Sequence, residues 1–193
     1  MERKFVHLRV RTVYSLLEST LHISKLAKLA KNDCQPAMAI TDSQNLFGGY
    51  EFSKKMADSG IQPIIGSSIF IKDENGIGEV VLLAQNERGY QNLSKLMSDS
   101  WIESDGSEKP LVDLTKLLDL SEGLILLTGG AKDGFIASIV IASPKLAEQR
   151  LHLLSARMEG RVYLELQRHD LQSENNIEQK LLSFADLLGL PLI

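Results

Sequence analysis

The stretch Phe5-Val-His-Leu-Arg-Val-Arg-Thr-Val-Tyr-Ser-Leu-Leu-Glu18 decides how this chain is read. Its alternation predicts a first strand from Phe5 to Val10, running into a loop that carries Arg11 and Glu18. Successive side chains of a strand point to opposite faces. His7, Arg9 and Arg11 therefore share one face, and Val6, Leu8 and Val10 the other. Three large polar groups on one side are odd for a buried strand. They suit the mouth of a pocket at the strand's carboxyl end.

Outward from this stretch, strand-like and helix-like runs alternate. The patterning predicts strands over Ala37–Thr41, Pro63–Lys72, Glu79–Ala84, Gly123–Thr128, Val162–Gln167 and Leu190–Ile193. Helices are predicted over Ile23–Lys31, Leu46–Ser59, Gly89–Ser98, Leu114–Leu118, Lys132–Ala142, Lys145–Met158 and Glu174–Leu188. Gly60 stops the second helix, and Ser143-Pro144 sets a cap before a proline at the first helical position. The 3.6-residue spacing is weak in Leu146, Gln149, Leu153 and Ala156, and strong in Ile177, Leu181, Phe184, Leu187 and Leu188. Strand–helix alternation implies a mostly parallel sheet, in a βα barrel or an open doubly wound arrangement, with one hairpin turn at Gly76–Glu79. Arg11, Asp42, Ser68, Gly129 and His169 gather just after strand ends, where a βα barrel places its site. The stretch from Glu103 to Pro110 is the one polar, loop-like insertion.

With 193 residues the chain can bury a sizeable core. A net charge of −4 gives no basic footprint for a stand-alone nucleic-acid binder. One cysteine, Cys34, excludes an internal disulfide framework and gives no zinc-ribbon spacing. No apolar leader follows Met1, and the longest apolar run, Phe135 to Ala142, falls short of the roughly 18 residues a span requires. A cytoplasmic protein with no membrane association is expected. The apolar ending Gly189-Leu-Pro-Leu-Ile193 reads as a strand entering a sheet, so the chain is expected to be a fragment of something longer. No glycine-rich nucleotide-cradling loop is present, and His22 and His152 have no helical partner for a metal pair.

Four motifs carry chemistry, and together they carry a resemblance. His7-Leu-Arg9-Val-Arg11-Thr-Val-Tyr14-Ser15-Leu-Leu-Glu18 resembles the opening of the PHP domain of bacterial DNA polymerase III alpha subunits, His-Leu-His-x-His-Ser/Thr-x-Tyr/Phe-Ser-Leu-Leu-Asp/Glu. Thr41-Asp42-Ser43-Gln-Asn45-Leu-Phe-Gly48 is similar to that family's Thr-Asp-His-x-Asn-Leu-Phe-Gly. Gly60-Ile-Gln-Pro-Ile-Ile-Gly66-Ser67-Ser68 is similar to Gly-Ile-x-Pro-Ile-Ile-Gly-x-Glu. Tyr163-Leu-Glu165-Leu-Gln-Arg168-His169-Asp170 is similar to Tyr-Leu-Glu-Leu-Gln-x-His-Gly. By resemblance, Arg9, Arg11, Ser43 and Ser68 stand where metal ligands would be, while Glu18, Asp42 and His169 match. On spacing alone, Asp42 also suits a cap of the following turn, and His169 a hydrogen-bonded core histidine.

The resemblance implies a PHP-type distorted (β/α) barrel, TIM-like and truncated at the C-terminus, over residues 1–193. It implies that the parent is a DNA-directed DNA polymerase, a nucleotidyltransferase that replicates DNA and uses magnesium, with its catalytic carboxylates in later domains. This fragment is then not itself catalytic. No metal is expected in it, because arginine stays protonated and has no lone pair to give. A unit charge near 4 Å at an effective dielectric of 20 interacts by about 4 kcal/mol, doubled for a divalent ion. The expected arrangement is a floor in which Arg9 or Arg11 forks onto Glu18 or Asp42. The implied role is a structural platform joined to the remainder of the alpha subunit, docking the proofreading 3′–5′ exonuclease subunit and meeting DNA through the parent. The rivals are a zinc- or manganese-dependent phosphoesterase or 3′–5′ exonuclease at the vestigial site, and a phosphate or pyrophosphate site at Arg9 and Arg11.

Overall fold

The computed structural model describes residues 5–104, 106 and 109–193. Three residues of the polar insertion, Asp105, Ser107 and Glu108, lie outside that set. One mixed sheet organises the chain. β1 (Ala37–Ser43), β2 (Gln62–Asp73), β3 (Gly76–Ala84), β5 (Leu124–Leu127) and β6 (Val162–Tyr163) stand in that order, with β4 (Val112–Asp113) beside the far end of β2. β1–β2, β2–β4 and β5–β6 pair parallel, and β3 runs antiparallel to both its neighbours. The reversal comes from a two-residue turn at Glu74-Asn75 rather than at Gly76–Glu79. There the Asn75 N–H donates to Asp73 Oδ1 (2.8 Å), and Gly76 takes a φ of +138° that favours glycine.

The leading segment is extended but does not form the strand expected over Phe5–Val10. It lies parallel to β1 through a single bridge, His7–Met38, with Ala39 N donating to His7 O and Thr41 N to Val10 O, both at 2.8 Å. Side chains take the donors a ladder would use: Gln35 Oε1 accepts from His7 N (3.4 Å), and Thr41 Oγ1 accepts from Val10 N (2.9 Å). At the opposite sheet edge, Leu190–Ile193 likewise makes only a bridge, Leu164–Leu192, in place of a strand. Pro191 has no N–H to give a ladder.

Helices cover the outside. α1 (Ile23–Asn32) and α2 (Gly49–Asp58) bury Ile23, Leu26, Phe52 and Met56 against Met38 and Ile40 of β1. α3 (Glu87–Glu103), α4 (Leu114–Asp119), α5 (Pro144–Arg157) and α6 (Gln172–Leu188) share the larger core, with Ile69, Ile71, Val80, Leu82 and Leu126. A third, smaller cluster packs Ala39, Val81, Leu83 and Leu127 with Leu8. On β3 the odd-numbered residues therefore face inward and the even-numbered ones face the helices. Glu79 shares the inward face with Val81 and Leu83.

Two expected helices differ. α5 buries Ala147, Arg150, Leu151 and Leu154, and leaves Gln149, Leu153 and Ala156 exposed. Its inward face is set by Arg150, whose Nε and Nη2 grip Asp73 (2.8 and 2.7 Å). Nη1 of Arg150 donates to Phe135 O (2.7 Å), and the guanidinium lies 3.8 Å from the Phe135 ring centre. The expected helix over Lys132–Ala142 shrinks to one 3₁₀ turn, Ala137–Ile139. Its first residues are committed to β3: Glu79 N donates to Asp133 O (2.6 Å), and Phe135 N to Glu79 O (2.9 Å). Backbones crowd here. A Cβ on Gly129, which has φ +83°, would sit 2.3 Å from Glu79 O.

Burial would raise the pKa of Asp73, but Arg150 and the turn N–H groups outweigh it and hold the carboxyl below its usual range. A depressed carboxyl stabilises the fold above its unfolded pKa of about 4, and that contribution is lost as pH falls through the lower folded value. Arg150→Met should cost about 3 kcal/mol in urea unfolding at neutral pH, by stranding Asp73 in a half-buried turn. The variant should also lose stability less steeply than wild type as pH falls below about 4.

Candidate functional site

At the inward face of β3 the Glu79 carboxylate, 2% exposed, receives two arginines. Arg9 Nη2 donates to Glu79 Oε2, and Arg11 Nη2 donates to Glu79 Oε1 (2.6 Å). Each guanidinium then reaches a second acid. Arg9 Nη1 donates to Glu165 Oε1 (2.7 Å), and Arg11 Nη1 pairs with Glu18 Oε2 (2.7 Å). Ser43 Oγ donates to the same Glu18 oxygen (2.8 Å), and Gln167 Nε2 to Glu165 Oε1 (2.6 Å). The chain of contacts Glu165–Arg9–Glu79–Arg11–Glu18–Ser43 thus joins five separate segments. Arg9 comes from the strip outside β1, yet it touches β3 and the residues after β6. A flat sheet in this strand order would hold those positions strands apart, at nearly 5 Å per strand. The contacts require the sheet to curl, as it does in a barrel.

The electrostatics favour the ionised form of Arg9. Burial lowers the pKa of Arg9, but Glu165 and Glu79 outweigh it and hold the guanidinium above its ordinary value. Glu165 Oε2 is buried and makes no hydrogen bond within the protein among the described residues.

The seven positions singled out in the sequence do not all converge. Arg9, Arg11, Glu18 and Ser43 do. Asp42 stays apart: its carboxylate accepts from Thr12 N (2.6 Å), Thr12 Oγ1 (2.7 Å) and Ser15 Oγ (2.6 Å). It fixes the loop that precedes Glu18, and it neither pairs with an arginine nor caps its own turn. Ser68 is buried, with Thr41 O as its distant acceptor at 3.4 Å. His169 is largely exposed and binds Glu174 twice, Nδ1 to Oε1 at 2.7 Å and the backbone N–H to Oε2 at 2.6 Å. The His169 ring hydrogen bond holds the Glu174 carboxyl below its usual range, against the effect of burial. His7 leaves the arginine face as well and stacks edge-on against Phe5, with centroids 4.7 Å apart.

Glu79 and Glu165 are the residues that sequence reasoning missed. A signal existed for both: each is a lone acid in an apolar run, Gly78-Glu-Val-Val-Leu-Leu83 and Tyr163-Leu-Glu-Leu166. A charged residue there must meet an opposite charge or a metal when it is buried.

This donor set does not fit a divalent cation. The acids that face one another are each already held by a guanidinium, and two guanidinium groups stand between them. Among the described residues, no group of three or more His, Cys, Asp or Glu side chains is arranged to hold a metal ion.

Glu79→Ala should cost about 3–5 kcal/mol of stability, because it leaves two half-buried guanidinium groups facing each other. Glu18→Ala should cost under about 1 kcal/mol, since Glu18 is 41% exposed and its pair is screened by solvent. Urea unfolding of both variants measures the contrast.

The PHP domain family profile matches residues 7–169. The DNA polymerase III subunit alpha of Caulobacter vibrioides is 42% identical over 98% of this chain and 17% of its own length. That of Rickettsia felis is 35% identical over the whole chain and 16% of its own length. The chain thus spans about one-sixth of the length of these relatives. A crystal structure from Bifidobacterium adolescentis, assigned as a metal-dependent phosphoesterase, superposes with a TM-score of 0.63 over 97% of this chain and 84% of that one. At 14% identity it shows the fold, a PHP-type distorted barrel of mixed α/β structure. The chain belongs to the PHP domain family.

Proposed function

We propose that this chain is a PHP domain unit of a bacterial DNA polymerase III alpha subunit, and that it serves the polymerase as a metal-free scaffold. The observation that carries the scaffold reading is the double commitment of Glu79 to Arg9 and Arg11. In this reading the two guanidinium groups supply the positive charge that a metal ion would otherwise supply among these acids, and hold the barrel mouth through side-chain contacts alone. The DNA polymerase III alpha subunits that match nearly the whole chain support this reading; in it, DNA synthesis, its magnesium and DNA contact belong to the parent polypeptide. The domain's own contribution is to support that polypeptide and to dock the proofreading 3′–5′ exonuclease subunit in the cytoplasm. A net charge of −4 suits a protein-docking surface better than a DNA-gripping one.

The vestigial positions then have structural roles. Arg9 and Arg11 close the ring of segments, Glu18 and Ser43 anchor the loop over its mouth, and Asp42 ties that loop to β1. Both arginines spend their best-placed donors on carboxylates, so an added phosphate would have to displace Glu18 or Glu165.

Elemental analysis of the chain purified without chelator is expected to find below about a tenth of an equivalent of zinc, manganese or iron, given the ligand number these ions require. Near-stoichiometric metal would overturn the metal-free scaffold and restore the phosphoesterase reading.

A further inference from the structure

A groove of about 420 Å³ lies between the first turns of α2 and α3, away from the arginine cluster. Pro63 and Ile65 of β2 line it together with Tyr50 of α2 and Tyr90 of α3. Both rings are exposed, Tyr50 at 83% and Tyr90 at 45%, and neither phenol hydrogen-bonds within the protein among the described residues. The core does not use them. Aromatic side chains offer large contact area for two torsions of lost freedom, and a phenol adds a polar handle. Gln85 brings an amide to the groove, and Glu87 is its one charged side chain among the described lining residues.

We propose that this groove docks an extended, proline-containing protein segment that carries an arginine or lysine. A polyproline II strand has no internal hydrogen bonds, so its carbonyls are free for phenol and amide donors. Its rings pack on aromatic walls, and little entropy is lost because the strand is already formed. The Glu87 carboxylate, the one charged group among the described lining residues, selects a basic side chain. It also disfavours the phosphates of single-stranded nucleic acid, the other ligand that stacks on exposed aromatics. The proposal rests on the reading of this domain as a protein-docking platform.

Fluorescence anisotropy on the full chain tests it, with three labelled probes: the peptide Pro-Pro-Leu-Pro-Pro-Arg, its counterpart ending in Glu, and oligothymidylate. The arginine peptide should bind saturably with a Kd on the order of 100 μM, a usual strength for a short single-groove contact. Tyr50→Ala, Tyr90→Ala and Glu87→Gln should each weaken it by about fivefold or more, with thermal melts unchanged because all three side chains are exposed. No saturation by about 1 mM, equal binding by the variants, or preference for oligothymidylate would overturn the proposal. The exonuclease subunit, titrated against the same proteins, separates the two readings. Equal exonuclease binding by wild type and Tyr50→Ala, with the peptide equally insensitive to Tyr50→Ala, removes the groove and leaves the platform. Binding of the peptide but not the exonuclease leaves the groove and removes the exonuclease from the platform.

Discussion

The Glu79 carboxylate between Arg9 and Arg11 is the constraint on which the rest of this structure depends. A carboxylate 2% exposed costs several kcal/mol if it stands alone. Here both of its oxygens are satisfied by guanidinium groups, and each guanidinium is pulled the other way by a second acid. The backbone on either side of Glu79 is also spoken for, by Asp133 and Phe135. One residue therefore fixes the inward face of β3, the entry of the leading segment and the path of the chain after β5.

The consequences spread through packing. Because residues 133–135 bond to β3, they cannot open the helix that the following apolar run suggests, and a single 3₁₀ turn remains. Because Phe135 is placed there, Arg150 finds both a carbonyl and a ring beneath it, and α5 turns its inward face to match. The mouth of the barrel shows local cost. Leu17, Gln44 and Asp170, in three separate loops, hold left-handed backbone with φ between 56° and 64°. Such a conformation costs a non-glycine residue roughly 1–2 kcal/mol. Polar ties at Asp42, Ser15 and Ser43 hold two of these loops in place.

A metal site and this arginine cluster solve the same electrostatic problem. Inward-facing acids at a barrel mouth repel one another unless positive charge is placed among them. A cation does this with short, directional bonds to several ligands. Two guanidinium groups do it with planar forks, each spanning two acids. The second solution needs no ion and leaves no open coordination position for a substrate oxygen.

The sequence by itself determined the class of fold and most of its parts. The apolar runs of β1, β3 and β5, the strong periodicity of α6 and the proline at the start of α5 all reflect local burial and local backbone chemistry, which residue order carries directly. It also singled out Arg9 and Arg11 and offered Glu18 or Asp42 as their acids, of which only Glu18 meets one, Arg11. Only the tertiary structure decided which acids meet them. Glu79 lies 68 residues from Arg11, and Glu165 lies 156 from Arg9. No local pattern encodes a contact across such separations. The same holds for Asp42, which serves Thr12 and Ser15 rather than an arginine, and for His169, which turns to Glu174. The leading segment reads as a strand because its side chains alternate, and the C-terminal segment because it is an apolar run. Whether they pair as strands depends on backbone donors, and in the folded chain Gln35 and Thr41 take those of the first, while Pro191 removes one from the second.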